Sequence, residues 1–448
     1  MISFIAGIFL LIVGYIVYGR IVERVFGVDA NRQTPCYAKR DDVDFTPIAT
    51  WRVYLIEFLN IAGTGPIFGA ILGILYGPSA YLWIVFGCIF AGAVHDYLVG
   101  MISVRKGGAS VPDIVGGEMG RTMYRIMFLF SICLLLLVAT VFTETSADLM
   151  QTLTCDFAWS SKVLWVGVIM FYFLLATIFP ISQIIGRLYP LFGACLLIMA
   201  VGVLYGIFFE PGRIPEITDG IYSHHPKGLP VFPMLCVTIA CGAISGFHAT
   251  QAPMMSRCIT NERHGRKVFY GAMITEGIVA MIWAAAAIKF AGSYENLAAM
   301  GTPATVVHTI CSSWLGIAGS VLAILGVVVA PVTSGDTAFR SSRLMIAEHY
   351  KLGQKSFYKR FYICIPMFAL SALLMCVDFS VLWRYFAWCN QTVACIMLWV
   401  GHIWLKKNGR NYWIALIPAI FMTVLSISYI ILAPEGFDLW NRLSAVRN

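Results

Sequence analysis

The stretch Glu57-Phe-Leu-Asn-Ile-Ala-Gly-Thr-Gly-Pro66-Ile-Phe-Gly69 is apolar enough for a membrane but carries the features that make a membrane helix discontinuous. Gly63, Gly65 and Pro66 fall within four residues, which removes helix propensity and one backbone donor at mid-span. A second stretch, Cys241-Gly-Ala-Ile-Ser-Gly-Phe-His248-Ala-Thr-Gln-Ala-Pro253, has the same character. One glycine-rich span alone is also what close helix packing produces. Reading outward from these two, apolar runs between charge, Pro and Gly breaks give twelve candidate spans. They fall near 2–19, 57–77, 80–104, 122–147, 162–180, 188–209, 232–256, 268–291, 304–332, 361–378, 381–405 and 411–432. The breaks lie in the second and seventh, five spans apart, so alternation makes them run in opposite directions. That relation is expected of inverted repeats whose broken helices meet at a midplane site. Irregular backbone is tolerated at membrane depth only where it lines a cavity or is buried in protein.

Composition agrees. Of 448 residues, 59% are hydrophobic and 12% charged, and the mean hydropathy is +0.80, which excludes an ordinary soluble domain. A dozen spans of about 20 residues leave only short loops. The formal charge of +8 does not point to nucleic acid, because the basic residues lie between apolar runs rather than on one face. With alternation, the loops at 20–56, 105–125, 181–187, 257–267, 340–360 and 406–410 share one side and hold 24 of the 31 Lys and Arg. The positive-inside rule makes that side cytoplasmic and puts both termini outside. Thirteen Cys show no paired spacing and lie mostly in apolar runs, so neither a disulfide framework nor a zinc site is indicated. Residues 2–18 lack a basic region before them and a cleavage site after them, as a retained helix does. The expected fold is an all-α polytopic membrane protein. Residues 1–20 form a peripheral first helix, 57–209 and 232–405 two five-helix repeats, and 411–432 a final helix.

Ionisable groups inside spans cost at least ~2.5 kcal/mol each at the bilayer centre, so each is a functional candidate. They are Glu57, His95, Asp96, Glu144, His248, Glu276, His308, Asp336 and Asp378. Glu57, His308, Asp336 and Asp378, near predicted span ends, also fit side chains that simply reach water. Asp96 and Glu276 sit deeper and suit proton coupling, or equally a structural acceptor role. Substrate contacts are expected at the breaks, from Gly63, Thr64, Gly65, Gly242, Ser245, Gly246 and His248, where half-helix N-termini offer free N–H groups to a carboxylate. Asn390 and Gln391 are expected either to line the path or to bond between helices. The run Ala330-Pro-Val-Thr333-Ser334-Gly-Asp336-Thr337 brings side-chain oxygens beside the first break. With carbonyls of Ile61 and Ala62, Thr333 and Ser334 form a plausible Na⁺ site; alternatively the hydroxyls bond back to their own helix.

The chain resembles the carbon starvation protein (CstA) family of bacterial inner-membrane transporters. The resemblance rests on Asp41-Asp-Val-Asp-Phe-Thr-Pro47, Ala62-Gly-Thr-Gly-Pro-Ile-Phe-Gly69, Ala91-Gly-Ala-Val-His-Asp-Tyr97, Cys241-Gly-Ala-Ile-Ser-Gly-Phe-His-Ala249, Tyr270-Gly-Ala-Met273 with Glu276, Asp336-Thr-Ala-Phe-Arg340 and Phe386-Ala-Trp-Cys-Asn-Gln391. His95 stands where the family more often has Gln. Membership implies a LeuT-like core of five-plus-five inverted repeats, and proton-coupled uptake of pyruvate or uptake of peptides during nutrient limitation. By analogy with that fold, the helix carrying Thr333 and Ser334 holds hydroxyl ligands of a sodium site.

The expected function is a secondary active transporter of the inner membrane, coupled to H⁺ or Na⁺ and without an organic cofactor. It would import a small carboxylate such as pyruvate, or short peptides. No GxxxxGK[ST] loop indicates direct ATP drive, and HExxH and GxSxG are absent, against an intramembrane enzyme. A channel or a transport-inactive nutrient sensor is the alternative, and concentrative uptake separates it from a transporter.

Overall fold

The computed structural model describes the chain apart from residues 155–156, 179–184, 324–325, 327, 354–355, 378, 434–436, 438 and 440–448, and apart from the side chains of 152–153, 185–190, 318–320, 322–323, 329, 379–381 and 383–384. Asp378 and the expected 181–187 loop therefore lie outside the described residues and side chains. The ordered elements among the described residues are helical.

Seven helices are long and apolar enough to cross a membrane: α1 (Ile2–Phe26), α3 (Ser79–Arg105), α4 (Arg121–Gln151), α6 (Leu191–Phe209), α8 (Glu262–Ala291), α11 (Phe357–Leu374) and α13 (Trp413–Leu432). An eighth span is a bent pair, α2 (Thr50–Ile61) followed by Gly65–Tyr76 at 54°. The other expected spans take different forms. α5 (Lys162–Ile178) is apolar but 17 residues long. The segment before α7 (Gly246–Ser256) is interrupted. The expected 304–332 span resolves into α9 (Pro303–Ala323) and α10 (Val329–His349). α12 (Phe379–Lys407) is 29 residues long but carries the polar pair Asn390-Gln391. Thr333, Ser334 and Asp336 sit in the first turns of α10, and Pro331 falls in its first turn, where a missing N–H costs no hydrogen bond.

Burial sorts the helices. α8 and α3 are 89% and 78% buried over their apolar windows, whereas α1, α11 and α13 are 28%, 28% and 33% buried. Outward-facing apolar surface of that kind suits lipid, where Leu and Ile meet tails of equal polarity. α3 and α8 thus form the centre. Each includes wider, π-type turns, at Trp83–Gly92 and Arg266–Tyr270, and such turns commonly sit at functional sites.

The loops separate onto two ends as alternation requires. At one end Lys39 donates to the Gly107 carbonyl at 2.9 Å, Arg257 to that of Gly108 at 2.9 Å, and Arg105 to that of Gly27 at 2.5 Å. There too Glu118 pairs with Lys106 and Lys407 at 2.6 and 3.0 Å. At the other end Glu216 meets the Met1 ammonium, Ser79 bonds the Ile221 carbonyl at 2.8 Å, and Lys289 bonds that of Ile207 at 2.6 Å. The basic loops thus gather on one face of a multi-pass membrane protein.

Candidate functional site

The two breaks lie where the sequence places them. α2 ends at Ile61, and Ala62 turns to φ −81°, ψ 59° before helix resumes at Gly65. In the second, a short helical turn Cys236–Thr238 ends as Ile239 takes φ −95°, ψ 62°, and α7 begins at Gly246 after extended Ser245. The segments run in opposite directions. Thr50 at the start of α2 bonds His264 on the basic end at 3.0 Å, whereas Ser256 and Arg257 finish the second segment on that same end.

The breaks touch. A side-chain carbon on Gly65 would strike Cys241, and one on Gly242 would come within 2.7 Å of the Ala280 methyl and within 3.9 Å of Pro66 Cα. One on Gly246 would enter the Asn390 backbone, and one on Gly63 would lie 3.0 Å from Ser334 Oγ. These glycines allow close approach of backbone, so their immediate contacts are protein, whereas the sequence reading assigned them to substrate.

Beside the crossing lies a buried titratable network. Asp96, in α3, accepts from His95 Nδ1 at 2.7 Å and from His248 Nδ1, in the first turns of α7, at 3.0 Å. The far nitrogen of His248, Nε2, stands 3.5 Å from Glu276 Oε2 in α8. All four side chains are at most 1% exposed. Facing an ionised Asp96, which can only accept, each imidazole would donate from Nδ1. His248 is therefore a bridge between two carboxyl groups, able to gain a proton at one nitrogen and release it at the other. The sequence reading gave it to substrate; in the structure its polar neighbours are Asp96 and Glu276.

Asn390 reaches from α12 to the second break, where its Oδ1 accepts from Ser245 Oγ at 3.0 Å and from Phe247 N at 2.7 Å. It thus caps α7 from a neighbouring helix. Its Nδ2, both amide atoms of Gln391 and the hydroxyl of Thr64 are buried without a hydrogen-bond partner among the described residues. Phe142 packs edge-on against Phe247 and Phe386 between these groups, with ring centres 6.1 and 6.2 Å apart.

The hydroxyl cluster of α10 does lie beside the first break. Ser334 Oγ donates to the Leu59 carbonyl at 3.1 Å, one turn before Ile61 and Ala62. Thr333 and Thr337 instead donate to carbonyls of their own helix, at 2.8 Å to Ala330 and 3.0 Å to Ser334. Asp336 is fully buried on the same helix. Glu144 pairs with Lys162 at 3.7 Å, away from the network, and His308 stands 3.5 Å from Ser312 of its own helix.

Sequence reasoning left one feature without a role. Asp44, in the Asp41–Pro47 motif ahead of α2, is 2% exposed and lies 3.3 Å from Arg343 and 3.9 Å from Arg340. Burial alone would raise its carboxyl, but Arg343, Arg340, Arg257 and Arg360 together outweigh it and hold it below the usual range. The only signal was a carboxylate-rich motif preceding a span.

Comparison with known proteins agrees with this architecture. The model of carbon starvation protein CstA matches residues 1–159, 146–318 and 295–429. The chain belongs to the CstA family. It is 44% identical to an uncharacterized membrane protein of Haemophilus influenzae, over 64% of this chain and 89% of that one. It is 29% identical to the peptide transporter CstA of Campylobacter jejuni, over 69% of this chain and 54% of the relative. It is 30% identical to the pyruvate/proton symporter BtsT of Escherichia coli, over 67% and 50%. The chain thus spans about half the length of these two transporters. The CstA relatives with a functional name are transporters, not enzymes. Among solved structures, MhsT in complex with L-phenylalanine superposes with a TM-score of 0.58 at 14% identity, over 84% of this chain and 98% of that one. The fold is shared.

Proposed function

We propose that this CstA-family chain is a secondary transporter of the bacterial inner membrane that imports a small carboxylate-bearing substrate, pyruvate or a short peptide, together with protons. The observation that carries the reading is the His248 bridge. One imidazole joins Asp96 to Glu276 immediately after the second helix break, and all three side chains are buried. Burial of two carboxyl groups on either side of an imidazole is costly unless protons are shared among them, and such sharing suits a site that loads and releases protons. The relatives named as peptide transporter and pyruvate/proton symporter support both substrate classes.

The polar groups around the crossing supply the binding surface. Asn390 Nδ2, the Gln391 amide and Thr64 offer donors toward a carboxylate, and Phe142, Phe247 and Phe386 offer an apolar wall. The antiparallel broken segments support a five-plus-five repeat within twelve spans, with the basic end cytoplasmic and the termini outside. Alternating access would then be a movement of one repeat against the other about this crossing.

A sodium-coupled reading draws on one contact, that of Ser334 with the Leu59 carbonyl beside the first break. The two readings separate in proteoliposomes given labelled pyruvate or a labelled dipeptide, with proton and sodium gradients imposed one at a time. Proton coupling requires accumulation without Na⁺. Accumulation only with Na⁺ assigns coupling to the hydroxyl cluster, and equilibration without accumulation refutes coupled transport.

A further inference from the structure

Three arginines meet at the basic end, where α5, α10 and α11 come together. Arg340, in α10, donates to the Ala176 carbonyl, and Arg360, in the first turn of α11, donates to that of Ile178. These two carbonyls lie in the last turn of α5, so both guanidinium groups cap one helix end. Arg343 reaches Asp44 at 3.3 Å, and Arg340 Nη1 stands 3.9 Å from the same oxygen. Phe339 stacks on Phe368, with ring centres 4.0 Å apart, and fixes α10 against α11. Arg340 and Arg343 are fully buried and Arg360 is 7% exposed.

Helix capping uses one nitrogen each of Arg340 and Arg360 and leaves the others. Arg340 Nε and Nη1 and Arg360 Nε are buried without a hydrogen-bond partner, as is the Thr177 hydroxyl between the two capped carbonyls. Charge is out of balance as well. Guanidinium groups stay protonated, and Asp44 is the one carboxylate within 4 Å of these three among the described residues. Arg257, which lies over the Phe45 ring at 5.1 Å, is taken by Glu348. Even with Asp336, four residues before Arg340, counted as ionised, one positive charge remains. Residues 179–190, which follow α5, contain no Asp or Glu. A buried guanidinium without a counter-charge is costly, and its planar fork matches the paired oxygens of a carboxylate or phosphate. A cleft between α7 and α10 runs beside the cluster, lined by Thr250, Met254, Arg257, Ser341 and Leu344. Leu344 lies one turn from Arg340 on the same face of α10.

We propose that Arg340, Arg343 and Arg360 form an oxyanion site at the basic end, which takes one carboxylate or phosphate group. It lies six residues along α10 from Ser334 and the first break, about 9 Å at the helical rise. Asp44 holds the arginines in register and competes with the anion for them.

The test is binding to the purified full chain in detergent, with labelled pyruvate in one arm and labelled phosphate in the other, at an ionic strength held constant with chloride. Arg360→Gln should weaken saturable binding in at least one arm by ~10-fold or more, whereas Asn390→Ala, at the crossing, should leave that component in place. Asp44→Asn removes the competing carboxylate and should strengthen the same component, which a purely structural cluster would not do. Loss in the pyruvate arm makes the site a station for the carboxylate, and loss in the phosphate arm makes it a site for free phosphate. If neither anion binds saturably, or both bind Arg360→Gln as they bind the wild type, the proposal is overturned. Pyruvate binding that responds only to Asn390→Ala, with no phosphate bound, overturns it too and leaves the transporter reading standing. If Arg360→Gln does not fold, Asp44→Asn decides, and an affinity no higher than that of the wild type in both arms overturns the proposal.

Discussion

His248 donates from Nδ1 to Asp96 at 3.0 Å across two helices separated by 152 positions in sequence. It holds that place because α7 restarts at Gly246, which turns the second residue after the break into the centre of the bundle. Replacing it tests whether the bridge transfers protons. His248→Gln retains a side chain able to hydrogen-bond but cannot take up a proton at one end and release it at the other. Uptake should fall by ~10²-fold or more with the insertion level unchanged. Retention of near wild-type uptake would make His248 a packing residue.

The cap on α7 makes a separate forecast. Asn390→Asp keeps the oxygen that accepts from Ser245 and Phe247 but removes the Nδ2 donor, whereas Asn390→Ala removes both. If Nδ2 faces the substrate, the apparent KM of the Asp variant should rise while the cap on α7 is kept. Asn390→Ala should in addition lose ~0.5–2 kcal/mol of stability, as a missing helix cap does. Equal KM values in all three proteins would confine Asn390 to its structural role.

Contact between the breaks predicts a compensating pair. Gly65→Ala drives a methyl into Cys241, and overpacking of this kind costs ~1–3 kcal/mol. Cys241→Gly clears that space, so the double variant should recover most of the thermal stability lost by Gly65→Ala. A double variant no more stable than Gly65→Ala would mean that the clash is relieved elsewhere.

The Asp44 cluster predicts both a mutational cost and a pH effect. Arg343→Ala leaves Asp44 buried beside fewer guanidinium groups, and breaking a buried pair costs ~3–5 kcal/mol. The Asp44 carboxyl is held below its ordinary value of 3.8. Its stabilisation is therefore complete above that value and is lost as pH falls through the lower folded value. Thermal unfolding in detergent should show wild type well above Asp44→Asn at pH 6, with the gap closing below pH ~4. A gap that is constant with pH would assign the difference to packing.

What the sequence made legible follows from which forces are local. Gly63-Thr-Gly-Pro66 and Gly242-to-Gly246 interrupt helices through backbone chemistry that needs no partner, so both breaks and their opposed directions could be read directly. Span limits were readable where an apolar run is uniform, as at α13. Asp96 and Glu276 stood out through the cost of placing charge in hydrocarbon. His248 stood out as well, but its pairing with both did not, since bringing it to both depends on packing between α3, α7 and α8. The glycines were legible as breaks but not as contacts for a related reason: a position that admits no side chain reads the same in sequence whether a ligand or Cys241 occupies the space.

The central claim is that substrate entry is coupled to protons through Asp96, and the most direct test is to watch the proton. Proteoliposomes loaded with a pH-sensitive dye are given pyruvate, and in parallel a dipeptide, in sodium-free medium with protein-free vesicles as the blank. Internal acidification above the blank that accompanies substrate entry in the wild type and is absent in Asp96→Asn is the predicted result. Substrate entry without acidification, or acidification undiminished in Asp96→Asn, would contradict it.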